Sequence, residues 1–266
     1  MESTSDEGRI TTEARGALWL MGIDRVAKRN GFTPEMWDAL KDAYTRLDED
    51  DALRVGVLFA HGDHFTAGLD LPRWHERMKH GGSGPGLAAS ERVDPTALGR
   101  RCRKAILTAV QGITYTLGIE LMLAGDIVIA ADDCRFSQLE PRRGIMATGG
   151  ATMRFVERGG WGNAMYHLLV VDEFDAPEAR RCGLVQEVVP AGTQLERALE
   201  LAGKIAELAP LAIEATIASS LRYAREGEAA CVAEFAEVQR RLASSEDARE
   251  GVASFVERRP PVFRGR

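Results

Sequence analysis

Short apolar strands alternating with helical stretches, giving way to helix alone, set the main limit on how this chain can fold. Residues 53–60 form a short run rich in β-branched residues, the pattern of a strand covered on both faces. Further strands are expected at 17–21, 105–110, 126–131, 135–137 and 184–189. Between them, Thr33, Pro34 and Glu35 supply an N-cap, a first-position proline and a first-turn acid. Met36, Trp37, Leu40, Tyr44 and Leu47 follow at helical spacing. Residues 118–124 read as a second helix, with Gly125 where a C-cap belongs. From about 193 to 257 the chain is helix-forming and amphipathic, with breaks expected at Pro210 and near Gly227 and Gly251. The pattern predicts an α/β core over residues 1–195 and a helical region over 196–266. Residues 80–86, with four glycines and a proline, predict a mobile surface loop.

Composition removes several classes of function. With 45% hydrophobic and 28% charged residues in 266, the chain is neither disordered nor of low complexity. Forty acidic residues against 34 basic ones give a net charge of −6, which argues against nucleic acid or an anionic membrane as partner. No apolar run approaches the roughly 18–20 residues of a membrane span. The acidic N-terminus, residues 1–7, resembles neither a secretory signal nor a transit peptide. Cys102, Cys134, Cys182 and Cys231 stand far apart with no C-x-x-C pair, so reduced thiols in a cytoplasmic protein are expected, without a disulfide framework or zinc site. Rossmann and Walker fingerprints are absent.

Four stretches offer chemistry. In the first, a glycine-containing loop at 111–118 leads into a very apolar helix carrying Glu120 in its first turn. Glu120 either complements the helix dipole or, buried among Ile119, Leu121, Met122 and Leu123, has the raised pKa of a general acid or base. Glu140 ends a strand-like segment just before Pro141, a place where side chains line sites, but on its own it reads rather as an ion-pair partner of Arg142 or Arg143. Ala67-Gly68, after the strand 53–60, can aim backbone N–H groups into a cavity, as an oxyanion hole requires. His61, Asp63 and His64 have the spacing of a metal hydrolase, but Phe59 stands where a further histidine is needed. The basic residues at 100–104, Lys28-Arg29 and the C-terminal arginines are mostly solvated faces, with a few able to meet a phosphate.

Taken in order, these pieces resemble the crotonase superfamily, the enoyl-CoA hydratases and isomerases. The resemblance runs over residues 27–36, 67–71, 112–126, 137–140, Gly149-Gly150 with Arg154, and the ending 255–263. It implies a crotonase-like spiral of ββα units with a C-terminal trimerisation region, assembled as a homo-trimer or as a hexamer. It implies an acyl-CoA thioester held between the N–H groups of Leu69 and Leu117. Ala67, Gly68 and Asp70 line that site, while the backbone at Ala27 and Lys28 meets the adenine end of CoA. Phe263 reaches a neighbouring subunit's site. No metal and no separate cofactor is implied, since coenzyme A is part of the substrate.

Family hydratases carry glutamates at the positions of both Glu120 and Glu140, whereas isomerases typically keep only the later one. The resemblance therefore implies hydration of a trans-2-enoyl-CoA: Glu120 deprotonates water and Glu140 protonates the α-carbon. Isomerisation, or another acyl-CoA lyase or hydrolase reaction, is the near alternative. The metal hydrolase using His61, Asp63 and His64 is a rival from another class. A non-catalytic homologue is a third, disfavoured by the presence of both glutamates. Thr116-Leu117-Gly118 departs from a loop that the family often makes richer in glycine, and a leucine at that donor narrows the pocket. Residues 72–98, including Trp74, are expected to be mobile and to set acyl-chain choice.

Overall fold

A computed structural model describes residues 7–80, 85 and 90–266. In chain order its elements are β1 (Arg9–Arg15), β2 (Leu18–Asp24), α1 (Pro34–Glu49), β3 (Val55–Ala60) and α2 (Leu71–Lys79). There follow β4 (Ala105–Val110), β5 (Ile113–Tyr115), α3 (Leu117–Ala124), β6 (Ile127–Ala131), β7 (Arg135–Ser137) and α4 (Ala151–Val170). The chain continues through β8 (Phe174–Asp175), α5 (Ala176–Arg181), β9 (Glu187–Val189), α6 (Gln194–Ala206), α7 (Pro210–Glu226), α8 (Glu228–Ala243) and α9 (Glu246–Glu257).

Among the described residues the strands form two sheets, one in the order β1-β2-β3-β4-β6-β9 and one in the order β5-β7-β8. In the larger sheet β1 is antiparallel to β2, and every other pairing is parallel. Each turn of the chain has the same course. It leaves the large sheet at the end of β3, β4 or β6, steps along the small sheet at Thr66, β5 or β7, and enters α2, α3 or α4. This is the expected crotonase-like spiral of ββα units.

Register explains why the central strands lack polar alternation. Leu20, Val57 and Leu107 align across the sheet and face α6, where Ala198 and Ala202 let the helix approach closely. Met21 and Leu58 align on the other face and join the larger core with α1 and α3. Both faces are therefore covered. The cap on α1 forms as expected: Thr33 Oγ1 accepts from Met36 N–H at 3.2 Å.

Several expectations are corrected. The strand expected over 184–189 is confined to Glu187–Val189, because Leu184 and Val185 are buried in the turn after α5. The break expected at Gly251 falls inside α9. The chain breaks instead at Ser244-Ser245, where Ser245 Oγ caps α9 by accepting from Ala248 N–H. The expected boundary at 195/196 falls two residues into α6, which packs on the sheet through Ala198 and Ala202, and buried residues become sparse from α7 on. Trp74 is anchored, not mobile: it lies in α2, 1% exposed, and its Nε1–H donates to Phe32 O at 2.9 Å. Val93 and Thr96, in the same 72–98 stretch, are also buried. The glycine loop expected over 80–86 falls largely outside the described residues. No described helix is long and apolar enough to cross a membrane.

Candidate active site

The loops after β3 and β4 lie at the carboxyl end of the parallel strands, the usual place for a site in such sheets. Asn30, buried, holds the first of them: its Nδ2–H donates to His61 O and His64 O at 2.9 and 2.7 Å. Thr66 Oγ1 donates to Asn30 O at 2.6 Å and accepts from Gly68 N–H at 3.1 Å. Tyr115 N–H then donates to Thr66 O at 3.0 Å, joining the second loop to the first.

Gly68 has φ +101°, and a Cβ there would collide with Thr116 Oγ1. The two loops thus meet at a position that only glycine fits. Thr116 itself holds φ 49° and ψ −112°, a strained conformation for a β-branched residue, immediately before α3. Among the described residues, neither the Leu69 nor the Leu117 N–H finds a hydrogen-bond acceptor. For Leu117 this follows from its place at the first position of a helix.

All eight residues of α3 are buried, Glu120 included. Its Oε1 accepts from Gly149 N–H at 2.6 Å and Ala151 N–H at 3.4 Å, at the start of α4. Burial pushes its pKa up to about 7, and the charge of Glu140 adds to the rise; the two N–H donors and Arg154 oppose it. Gly149 cannot be larger, since a Cβ there would lie 2.6 Å from Glu120 Cδ. Buried Arg154 secures this turn by donating to Gly149 O at 3.1 Å and Thr96 O at 2.5 Å.

Glu140 opens a single 3-10 turn after β7. It forms no ion pair with Arg142 or Arg143 among the described residues; Arg142 instead donates to Val171 O at 3.0 Å. Gln138 Nε2–H donates to Glu140 Oε1 at 3.1 Å, while Glu140 Oε2 and Gln138 Oε1 are buried with no partner. Burial raises the Glu140 pKa as well.

A family sequence model described as enoyl-CoA hydratase/isomerase matches residues 13–266, nearly the whole chain. The chain belongs to the enoyl-CoA hydratase/isomerase family. It is 32% identical to an enoyl-CoA hydratase of Mycobacterium tuberculosis over 258 residues, 96% of each protein. It is 32% identical to the 2,3-dehydroadipyl-CoA hydratase of Escherichia coli over 251 residues, 93% of this chain and 95% of that one. Its structure is similar to the crystal structure of a probable enoyl-CoA hydratase/isomerase from Mycobacterium abscessus, with a TM-score of 0.92 and 41% identity over 97% of this chain and 98% of that one.

Within this family member the remaining candidate residues divide in two. Ala27 and Lys28 lie in an exposed single turn, Val26–Lys28, tied to the loop after β3 because Ala67 N–H donates to Arg29 O at 3.0 Å. Asp70 acts as a brace: its carboxylate accepts from buried Arg25 at 2.8 Å, and Arg25 also donates to Gly31 O. Phe263 does not join its own chain's site. Its carbonyl accepts from Arg54, just before β3, at the opposite end of the sheet.

The histidine cluster also serves the fold. His61 Nε2 pairs with Thr11 Oγ1 at 2.9 Å and His64 Nδ1 accepts from Ile113 N–H at 3.3 Å, and with Asp63 they do not converge into a ligand set. In the basic run, Arg100 and Arg103 both contact Asp48, Arg101 contacts Asp126, and Lys104 donates to the carbonyls of Leu47 and Asp50. Sequence reasoning missed Gln138, Asn30 and Arg25, whose roles depend on partners up to 45 residues away. The Asn30 signal lay only in its place before a glycine and a helix cap.

Proposed function

We propose that the chain adds water across the double bond of a trans-2-enoyl-CoA, as an enoyl-CoA hydratase-type lyase. The observation that carries this is the pairing of two carboxyls of raised pKa, Glu120 buried and Glu140 half-buried, with two N–H groups that have no acceptor among the described residues. The Leu69 and Leu117 N–H groups hold the thioester carbonyl oxygen and stabilise the enolate that develops on it. Glu120, oriented through one oxygen by Gly149 and Ala151, takes a proton from water as its oxygen attacks the β-carbon. Glu140 gives a proton to the α-carbon from its unpartnered side. The two carboxyls titrate as a pair, one charged and one neutral at the point of attack. Proton transfer and fixed dipoles suffice for these steps, so the proposal includes no separate cofactor and no metal.

The same reading gives the turn at Ala27 and Lys28 to the adenine end of CoA, with Ala67 and Gly68 against the acyl group and Asp70 holding the loop. It gives the region beyond α6 to assembly of a homo-trimer or hexamer in the cytoplasm. Tyr223, Phe235, Phe255 and Val256 stand more than half exposed there, and the Phe263 tail reaches a neighbour's site. The test is loss of the enoyl-thioester absorbance with crotonyl-CoA and a longer trans-2-enoyl-CoA. Glu120→Gln and Glu140→Gln should each lower kcat by about 10²–10⁴-fold while thioester binding is kept. Full activity in both variants would overturn the assignment.

A further inference from the structure

Away from this site, the structure brings together three side chains that the mechanism leaves unused. His167 lies in the last turn of α4, Glu178 in α5, and Cys182 directly after it. His167 and Cys182 are buried, while the Glu178 side chain is 30% exposed. Their donor atoms form a small triangle. His167 Nε2 is 3.2 Å from Glu178 Oε1, Cys182 Sγ is 3.5 Å from the same oxygen, and the sulfur and nitrogen are 3.7 Å apart. Zinc binds nitrogen, oxygen and thiolate sulfur at about 2.0–2.3 Å, and a tetrahedron built on such bonds has edges of about 3.3–3.8 Å. The three side chains therefore span one face of a zinc-sized tetrahedron without moving.

We propose that His167, Glu178 and Cys182 form a binding site for one zinc-class divalent cation, with the fourth position open to water. The cluster already attracts a cation. A guanidinium nitrogen of Arg181 sits 2.6 Å from Glu178 Oε1 and 3.5 Å from Cys182 Sγ, on a side chain 59% exposed. Metal entry displaces this arginine to solvent, and the Cys182 thiol releases its proton to solvent as the metal–sulfur bond forms. The donor set favours zinc or cobalt over magnesium or calcium, which require oxygen ligands throughout. The imidazole ring of His167 packs on Phe174, with 4.1 Å between ring centroids. A bound ion would clamp α4 to α5 across residues 171–175. That segment accepts from Ser137 Oγ and Arg142 at Val171 O, on either side of Glu140.

The full-length protein is dialysed against Zn²⁺ or Co²⁺ alone, and bound metal is counted per chain. One equivalent is expected, and Co²⁺ should give the near-ultraviolet thiolate-to-metal band. Cys182→Ser should abolish that band, and Glu178→Gln should weaken binding at least tenfold. Arg181→Ala, an exposed substitution that leaves the ligands intact, should tighten binding about tenfold by removing the competing charge. Metal that persists in Cys182→Ser with no thiolate band in the unaltered protein would assign it to scattered histidines and overturn the site. So would the absence of retained metal in both the unaltered protein and Arg181→Ala.

Discussion

Helix α3 and the pair α8–α9 solve the same problem in opposite ways. In α3 every residue is buried by the chain's own sheets and helices. In α8 only Cys231 is buried, and in α9 only Asp247 and Ser254, while Val232, Phe235, Val252 and Val256 stand open and Phe255 is 84% exposed. Under the proposed function the difference separates chemistry from assembly: a carboxyl on α3 is desolvated before any ligand arrives, whereas apolar side chains of α8–α9 lie open to solvent.

The sharpest way to break this contrast is to disturb what encloses α3. Gly149→Ala places a Cβ against the Glu120 carboxyl, so kcat should fall by about 10²-fold or more with the fold retained. An unchanged kcat would mean that Glu120 need not stay where it is. Gly68→Ala meets both Thr116 and a backbone φ of +101°, and urea unfolding should show a loss of about 3 kcal/mol. Adding Thr116→Gly should restore only part of it, since the backbone strain at position 68 remains.

A smaller effect concerns pH. A carboxyl whose folded pKa is raised contributes stability below its unfolded value, and that contribution is lost as pH rises through about 7. Glu120→Gln should therefore stabilise the protein at pH 8, by on the order of 2–3 kcal/mol, and have little effect near pH 4. Equal effects at both pH values would contradict the burial argument. The hydratase activity of the unaltered protein should fall as pH drops below about 7, where Glu120 takes up a proton and can no longer accept one from water.

The smallest intrachain effect belongs to the other region. Phe255→Asp should change the unfolding free energy of the separated chain by no more than about 0.5 kcal/mol. Sedimentation should nevertheless show loss of the assembled species. An assembly that survives Phe255→Asp together with Val256→Asp would move the interface elsewhere.

Legibility in the sequence follows the same division. Thr33-Pro34 and the run 53–60 act through near neighbours, so local pattern sufficed for α1 and β3. Glu120 was marked by the apolar residues around it, because burial of α3 shows in its own composition. Trp74 was misjudged because its partner, Phe32 O, lies 42 residues earlier. The break expected near Gly251 does not form because a glycine inside a helix costs only about 1 kcal/mol, less than the Ser245 cap and the hydrogen bonds from the C-terminal tail to Asp247 and Glu250 provide. Glu140 read as an ion-pair partner since Arg142 and Arg143 are adjacent in sequence, yet Arg142 turns to the Val171 carbonyl. His167 and Cys182 showed nothing alone, as only the fold of α4 against α5 brings them together.

The brace of Asn30, Arg25 and Asp70 has a consequence for how the molecule breathes. Asn30 grips the start and end of the 61–64 turn, Arg25 joins the 26–31 turn to Asp70, and Thr66 ties Asn30 to Tyr115. No one of these loops can peel away without releasing bonds in the others. Their amides should exchange with deuterium as one cooperative unit, with Phe32, Ala67, Asp70 and Tyr115 sharing a single opening free energy.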